Sequence, residues 1–231
     1  MTVNAQYNVA KPDSLPVRVA AYQRRRMLAA FDDAFKPSAA ASILDVGATS
    51  DRDYDHSNYL AAWYPHKSRI TAVGIDDASI LEGLYPGLRF LRADGRQLPF
   101  ETGSFDFVHS SAVLEHVGSR ERQAGFLGEL WRVSRVGIFV TTPNRWFPVE
   151  FHTILPLVHW LPSRLSRRLL AAAGRSFFAD EENLNLLSRR DLSTAAGIAG
   201  IARFRIDSVG LLGWPTNLLL VADRRGSRDP G

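Results

Sequence analysis

The sequence predicts an α/β fold: a doubly wound, mostly parallel sheet of seven strands, with an antiparallel closing strand and a helical insert after the fifth strand. Three observations lead there. From residue 41 onward, short apolar runs alternate with segments of helical periodicity. Three of those runs lead into an aspartate, Asp45, Asp76 and Asp94. The chain has 231 residues, 45% of them hydrophobic, which suits one domain with an insert and a core that needs no disulfide or metal staple.

The elements are predicted in order. Residues 16–35 read as an amphipathic helix, with Pro16 in its first turn and Pro37 just past its end. Ala20, Met27, Leu28 and Phe31 form its apolar stripe, and Arg24–Arg26 lie at its wet edge. Ile43–Val46 is the first strand, followed by a turn and a helix through Tyr64. Pro65–Ser68 break that helix, and Ile70–Ile75 is the second strand. Asp76–Tyr85 is a short helix, Arg89–Arg92 the third strand and Phe105–His109 the fourth. Ser119–Ser134 is a helix that presents Phe126, Leu127, Leu130 and Val133 on one face. Val136–Thr142 is the fifth strand. Residues 145–187, rich in aromatics, Leu and Arg, read as the helical insert. Asp191–Gly197 is a further helix. Phe204–Val209 and Leu218–Ala222 close the sheet as an antiparallel hairpin around Gly213-Trp214-Pro215. The expected organisation is a helical N-terminal extension over 1–40, a domain over 41–223 that includes the insert, and a disordered tail over 224–231.

Composition removes several function classes. The sequence has no cysteine, which excludes disulfides, a cysteine nucleophile, thiolate zinc sites and iron–sulfur clusters. Met1–Asp13 carries no apolar signal core, and no stretch reaches the ~20 apolar residues of a membrane span. A soluble, cytoplasmic protein is expected. The net charge is +4, and all but three of the 28 basic residues are Arg.

In open parallel sheets, ligands bind beyond the carboxyl ends of the strands. Asp45, Gly47, Thr49 and Asp51 follow the first strand, Asp76 and Asp77 the second, and Asp94 and Gly95 the third. His109 and Ser110 end the fourth. Carboxylates placed there accept hydrogen bonds from ribose hydroxyls, an exocyclic amine or an ammonium group. The first turn adds Asp51, Asp53 and Asp55, which would repel a pyrophosphate docked on the helix that follows. Asp51 and Asp53 can also serve simply as helix caps. The acid cluster disfavours NAD and ATP and favours a cationic ligand with an adenosine end. S-adenosyl-L-methionine, a sulfonium with an amino-acid tail, fits.

The motifs carry a family resemblance. Ile43-Leu44-Asp45-Val46-Gly47 resembles the first motif of class I S-adenosylmethionine-dependent methyltransferases, and Val73-Gly74-Ile75-Asp76 their second-strand ending. Ala93–Phe100, Ser104–Val108, Val113–Val117 and Glu129–Arg132 are similar to the type-11 subgroup. The resemblance covers roughly residues 41–144, and its motifs gain specificity from their shared order. It implies a Rossmann-like sheet and S-adenosyl-L-methionine as cofactor. It also implies roles. Gly47 lets the backbone approach the methionyl part, and Asp45 organises that loop toward the ammonium. Asp76 accepts from the ribose and Asp94 from the adenine amine, with Gly95 beside the ring. Ser110 lines the methyl-donor region. Thr49, Asp77 and His116 complete the implied cofactor set. Two departures stand out. Thr49 and Asp51 occupy places where the family normally has glycine. Asp76 lies 29 residues after Gly47, where about 20 is usual. A non-catalytic module of the same fold with weakened cofactor binding is therefore the alternative.

Methyl transfer from a sulfonium needs alignment more than acid–base help. A base is needed when the acceptor is a hydroxyl. His152 with Glu150, just after the fifth strand, is the expected catalytic pair for O-methylation. Methylases of nucleic-acid amines carry an Asn- or Asp-Pro-Pro-aromatic element after strand four; this chain has His109-Ser110-Ser111-Ala112. Nucleic acid is disfavoured, and a small-molecule or sugar- or lipid-linked acceptor is expected. The insert carries Arg164, Arg167, Arg168 and Arg175 with no acid between them, which suits a cap over an anionic substrate or transient contact with a membrane surface.

Overall fold

A computed structural model describes residues 14–51, 56–150, 152–153 and 155–225. The elements are α1 (Leu15–Phe35), β1 (Ile43–Val46), α2 (Tyr59–Trp63), β2 (Ile70–Gly74), α3 (Ile80–Leu84), β3 (Arg89–Arg92), β4 (Phe105–Ser111), α4 (Arg120–Val133), β5 (Ser134–Pro143), α5 (Ser163–Ala172), α6 (Ser176–Ala179), α7 (Arg189–Ile198), β6 (Arg205–Leu211) and β7 (Trp214–Asp223). The sheet has seven strands in the order β3-β2-β1-β4-β5-β7-β6. β7 runs antiparallel to both β5 and β6; the other pairs are parallel. The chain winds outward from β1 to β3 and then returns to β4 beside β1. That reversal is the switch point where α/β sheets open a ligand crevice.

Period-2 alternation sorts the strands between two cores. Leu44, Val46, Val108, Ile138 and Val140 face α4 and α7, where Phe126, Leu127, Leu130 and Leu192 meet them. Ile43, Phe107, Phe139, Leu219 and Val221 face the other layer, which contains Met27, Phe31, Phe35, Tyr59, Leu60 and Leu81. Phe31 is fully buried and sits edge-on to Phe35, Phe107, His109 and Phe139. Ring pairs of this kind add to the burial of their area. The N-terminal helix α1 thus packs into this layer beside α2 and α3.

Some expectations shift. The closing turn falls one residue early, at Leu212-Gly213, and Trp214 opens β7. β7 inserts between β5 and β6 because its apolar run Leu218–Ala222 is buried on both faces, as a central strand requires. Arg24 leaves the wet edge and donates to the His56 carbonyl at 3.0 Å. The insert holds α5, α6 and a single turn at Val158–Trp160, around a small core of Leu170, Phe178, Leu184 and Leu186. The first residues of the expected tail are docked. Arg224 donates to the Trp131 carbonyl, and Arg225 pairs with Asp223. Residues 226–231, and Asp53 and Asp55 of the first turn, lie outside the described residues.

Candidate active site

The switch point between β1 and β4 is built by register. Asp45 stands beside His109 and Val46 beside Ser110. Alternation turns Asp45, His109 and Ser111 to the α2 side. There Asp45 Oδ1 accepts from His109 Nδ1 at 2.7 Å, and the Tyr59 hydroxyl meets His109 Nε2 at 2.7 Å. With Nδ1 protonated toward the carboxylate, Nε2 accepts from Tyr59. Burial pushes the Tyr59 phenol above its ordinary range, so it remains a donor. Asp45, expected to face an ammonium group, has one oxygen committed to this relay. A cleft lined by Asp45, Gly47, Ser57, Asn58, His109 and Ser111 opens at its end. Ser110, expected in the methyl-donor region, is fully buried and donates to the Val46 carbonyl at 2.9 Å. Its neighbour Ser111 reaches the cleft instead.

The loop after β1 has two anchors. Gly47 and Ala48 donate to the Val73 carbonyl at 2.8 and 2.9 Å. Gly47 has φ +111°, and a Cβ there would overlap the Val113 side chain outright. Glycine is therefore required by the backbone and by its neighbour. Thr49, in place of a glycine, is held by Asn58. Thr49 N donates to Asn58 Oδ1 at 3.0 Å, and Asn58 Nδ2 donates to the Thr49 carbonyl at 2.8 Å. Asp51 N donates to Thr49 Oγ1, and Ser57 Oγ to Asp51 Oδ2. Side chains thus fix a loop that the family leaves to glycines.

The remaining strand-end carboxylates divide. Asp76 Oδ2 is buried without a hydrogen-bond partner, an acceptor that a ribose hydroxyl would satisfy. Asp77 instead caps its own turn by accepting from Ser79 N at 2.9 Å, which lowers its pKa. Asp94 accepts from Arg96 through both oxygens, and that hydrogen bonding holds its carboxyl below the usual range. An adenine amine would share Asp94 with Arg96. Gly95 packs its backbone on Phe126 and Val46, where a Cβ would come within 2.7 Å of each.

A second group lies where the insert meets the turn after β4. Asn185 N donates to the Glu115 carbonyl at 2.7 Å and Asn185 Nδ2 to the Gly118 carbonyl at 2.9 Å. These bonds seat the insert on the single turn Leu114–His116. The expected pair forms: His152 Nδ1 meets Glu150 Oε1 at 2.6 Å, and Glu150 also accepts from His152 N and Thr153 N. Burial opposes ionisation of Glu150, but the facing His152 charge and these hydrogen bonds outweigh it and hold the carboxyl at about 2. His152 Nε2 faces His116 Nε2 at 3.1 Å, and His116 Nδ1 meets the Asn183 carbonyl at 2.6 Å. His116, expected among the cofactor contacts, thus turns toward the insert. Its pKa is lowered to about 3, by burial first and by the His152 charge second. Glu115, fully buried, accepts from Thr142 Oγ1 at 2.9 Å, and burial raises its pKa.

With this geometry in place, the chain can be set beside known proteins. A family profile described as a methyltransferase domain matches residues 44–141. These residues are a class I, type-11 methyltransferase domain. The profile ends within β5, so the domain supplies the strand ends from Asp45 to Thr141, and the insert lies beyond it. An S-adenosylmethionine-dependent methyltransferase of Aquifex aeolicus has the same fold, with TM-score 0.57 and 14% identity over 91% of this chain and 99% of that one. One of Thermotoga maritima gives 0.57 and 16% over 91% and 92%. One of Methanosarcina mazei gives 0.53 and 17% over 84% and 96%. No curated protein matches the sequence. The family's cofactor is S-adenosylmethionine, and the methyltransferase domain presents an orphaned Asp76 oxygen and a glycine-only backbone at Gly47 where its ribose and methionyl parts would rest.

The Asp45–His109–Tyr59 relay and Asn58 were missed in the sequence. Asp45 and His109 lie 64 residues apart, and Tyr59 lies 50 from His109. The usable signal was a His at the register position beside a strand-end Asp.

Proposed function

We propose that this chain is a cytoplasmic S-adenosylmethionine-dependent methyltransferase that methylates a hydroxyl oxygen of a small-molecule or sugar- or lipid-linked acceptor. The observation that carries the reading is the buried, unpartnered Asp76 oxygen at the end of β2, inside a methyltransferase domain. When bound, S-adenosylmethionine supplies an electrophilic methyl carbon on a positive sulfur, which leaves as a neutral thioether. Gly47 and Thr49 would hold the methionyl part with backbone groups, Asp45 the ammonium, Asp76 the ribose diol, and Asp94 with Gly95 the adenine edge. Ser111, which lines the cleft, would lie toward the methyl donor. In its neutral form, His152, oriented by Glu150, would take the acceptor's proton on Nε2 in place of its contact with His116. The acceptor oxygen, relieved of its proton, would be the group presented to the methyl carbon.

Among the described residues, no helix is long and apolar enough to cross a membrane. A lipid-linked acceptor is favoured by α5, which exposes Arg164, Leu165, Arg168 and Leu169 together. Leu165 and Leu169 are 45% and 42% exposed, and Arg167 is paired with Glu181 from beyond the helix. Apolar side chains between cations suit a headgroup interface.

The test is methyl transfer from labelled S-adenosylmethionine to a panel of free sugars, phenols and glycolipids, with the methylated atom located by mass spectrometry. O-methyl product that falls with His152→Ala supports the reading. Cofactor binding with no turnover on any acceptor favours the non-catalytic module.

A further inference from the structure

We infer that Glu115, His116 and His152 form a binding site for one divalent first-row transition cation of the zinc or ferrous type. The hydrogen bonds behind each ring fix its tautomer. His116 Nδ1 lies 2.6 Å from the Asn183 carbonyl, and His152 Nδ1 lies 2.6 Å from the Glu150 carboxylate. Both partners are acceptors, so both Nδ1 atoms carry hydrogen. In the neutral rings, both Nε2 atoms then present lone pairs, and these point at each other across 3.1 Å. When both rings are neutral these lone pairs repel, and either a proton on one ring or a metal cation relieves the repulsion.

Glu115 supplies the third donor. Its Oε2 is taken by Thr142, but its Oε1 is fully buried with no hydrogen-bond partner, 3.8 Å from His116 Nε2. One donor atom from each of the three residues falls within 4.8 Å of the others. Zinc–nitrogen bonds of about 2.0–2.1 Å place two tetrahedral ligands roughly 3.3 Å apart, close to the spacing of the two nitrogens. The Glu115 carboxylate, 3.8 Å from His116 Nε2, has to move in toward both nitrogens to reach that spacing.

The surroundings match those of metal-bound histidines. Each ring gives its other nitrogen to a carboxylate or a carbonyl, which fixes the tautomer and raises ligand basicity. Glu150 is itself held by two backbone N–H groups. Two imidazoles and one carboxylate select zinc, iron or cobalt over magnesium or calcium, which prefer all-oxygen sets. The His116 and His152 side chains remain 13% and 12% exposed, which leaves an approach for a further ligand. The competing occupant of the gap is a single proton shared by the two rings.

This inference deepens the acceptor half of the proposed function. With a cation bound, His152 Nε2 would be a ligand and could no longer take the proton; the cation would acidify an acceptor hydroxyl bound beside it, and solvent water would receive the proton. The binding itself requires no cofactor, so it is tested without one. Untagged full-length protein is stripped with chelator and titrated with Co2+ by visible absorption and with Zn2+ by calorimetry, with Mg2+ as control. The expected result is one Co2+ and one Zn2+ per chain, d–d bands of a low-coordinate nitrogen–oxygen site, and no saturable Mg2+ binding. Glu150→Gln should weaken Zn2+ about 10–100-fold, and His116→Gln or His152→Gln should abolish the bands while circular dichroism shows the fold retained. Absence of saturable Co2+ and Zn2+ binding by folded wild-type protein overturns the inference and leaves the shared proton. So does binding that survives both histidine changes. Metal binding without any S-adenosylmethionine binding would sink the proposed function and leave this site standing.

Discussion

Gly47→Ala separates the two reasons for glycine at the head of the cleft. The new methyl would overlap Val113 Cγ2, and the backbone is held at φ +111°. A non-glycine residue in so sparse a region costs about 1–3 kcal/mol, and overpacking against Val113 adds about 1–3 kcal/mol. The sum is about 2–6 kcal/mol, a large share of a domain's stability. Val113→Ala removes the clashing methyl and leaves Val113 Cβ at 3.5 Å, an ordinary contact. Urea denaturation of the four proteins in this double-mutant cycle should therefore show Gly47→Ala costing about 1–3 kcal/mol less in the Val113→Ala background. Equal costs in both backgrounds would refute the steric half of the argument. Calorimetric titration of the same four proteins with S-adenosylmethionine examines the rest. Weakened binding in both alanine-47 proteins is expected if the methionyl part rests on the bare backbone. Full recovery in the double mutant would mean that the glycine serves packing alone.

Asn58→Ala strips both side-chain bonds from the Thr49 peptide groups. It should destabilise the domain by about 1–3 kcal/mol and weaken S-adenosylmethionine more than a distant substitution of equal stability cost; denaturation with calorimetry measures both. Tyr59→Phe removes the hydroxyl from a buried relay and leaves His109 Nε2 without its donor, at a cost of about 1–3 kcal/mol; thermal or urea unfolding checks it, and an unchanged midpoint would show that the relay contributes nothing. The α5 surface should carry the protein to the top of a flotation gradient with anionic vesicles at low salt but not at high salt. Arg164→Glu with Arg168→Glu should abolish flotation, and equal flotation with neutral vesicles would show that charge plays no part.

The sheet was legible because its central strands carry short apolar runs, such as Ile43-Leu44, Ala72-Val73, Ile138–Val140 and Leu218–Ala222, separated by segments of helical periodicity. Leu44 and Val46 on one face and Ile43 and Asp45 on the other follow directly from alternation. What sequence order hides is pairing across distance. Asp45 reads as a ligand for a cation until β4 brings His109 beside it. Ser110 and Ser111 are indistinguishable until the register of β4 buries one and opens the other. His152 was expected with Glu150, two residues away, and that local pair formed. Its contact with His116, 36 residues away, depends on how the insert folds back, and no periodicity encodes that. Asp77 and Asp94 were read from position alone. Local partners, Ser79 and Arg96, occupy both, since short-range hydrogen bonds form at little entropic cost.

Binding of S-adenosylmethionine at the strand ends through Asp76 is read by calorimetric titration of wild-type and Asp76→Ala protein with S-adenosylmethionine and its demethylated product. One saturable site is expected in the wild type, with affinity lowered roughly 10–150-fold in Asp76→Ala, the equivalent of about 1.5–3 kcal/mol for hydrogen bonds to a charged group. No heat of binding from folded wild-type protein at millimolar ligand would contradict it, as would an Asp76→Ala variant that binds as tightly as the wild type.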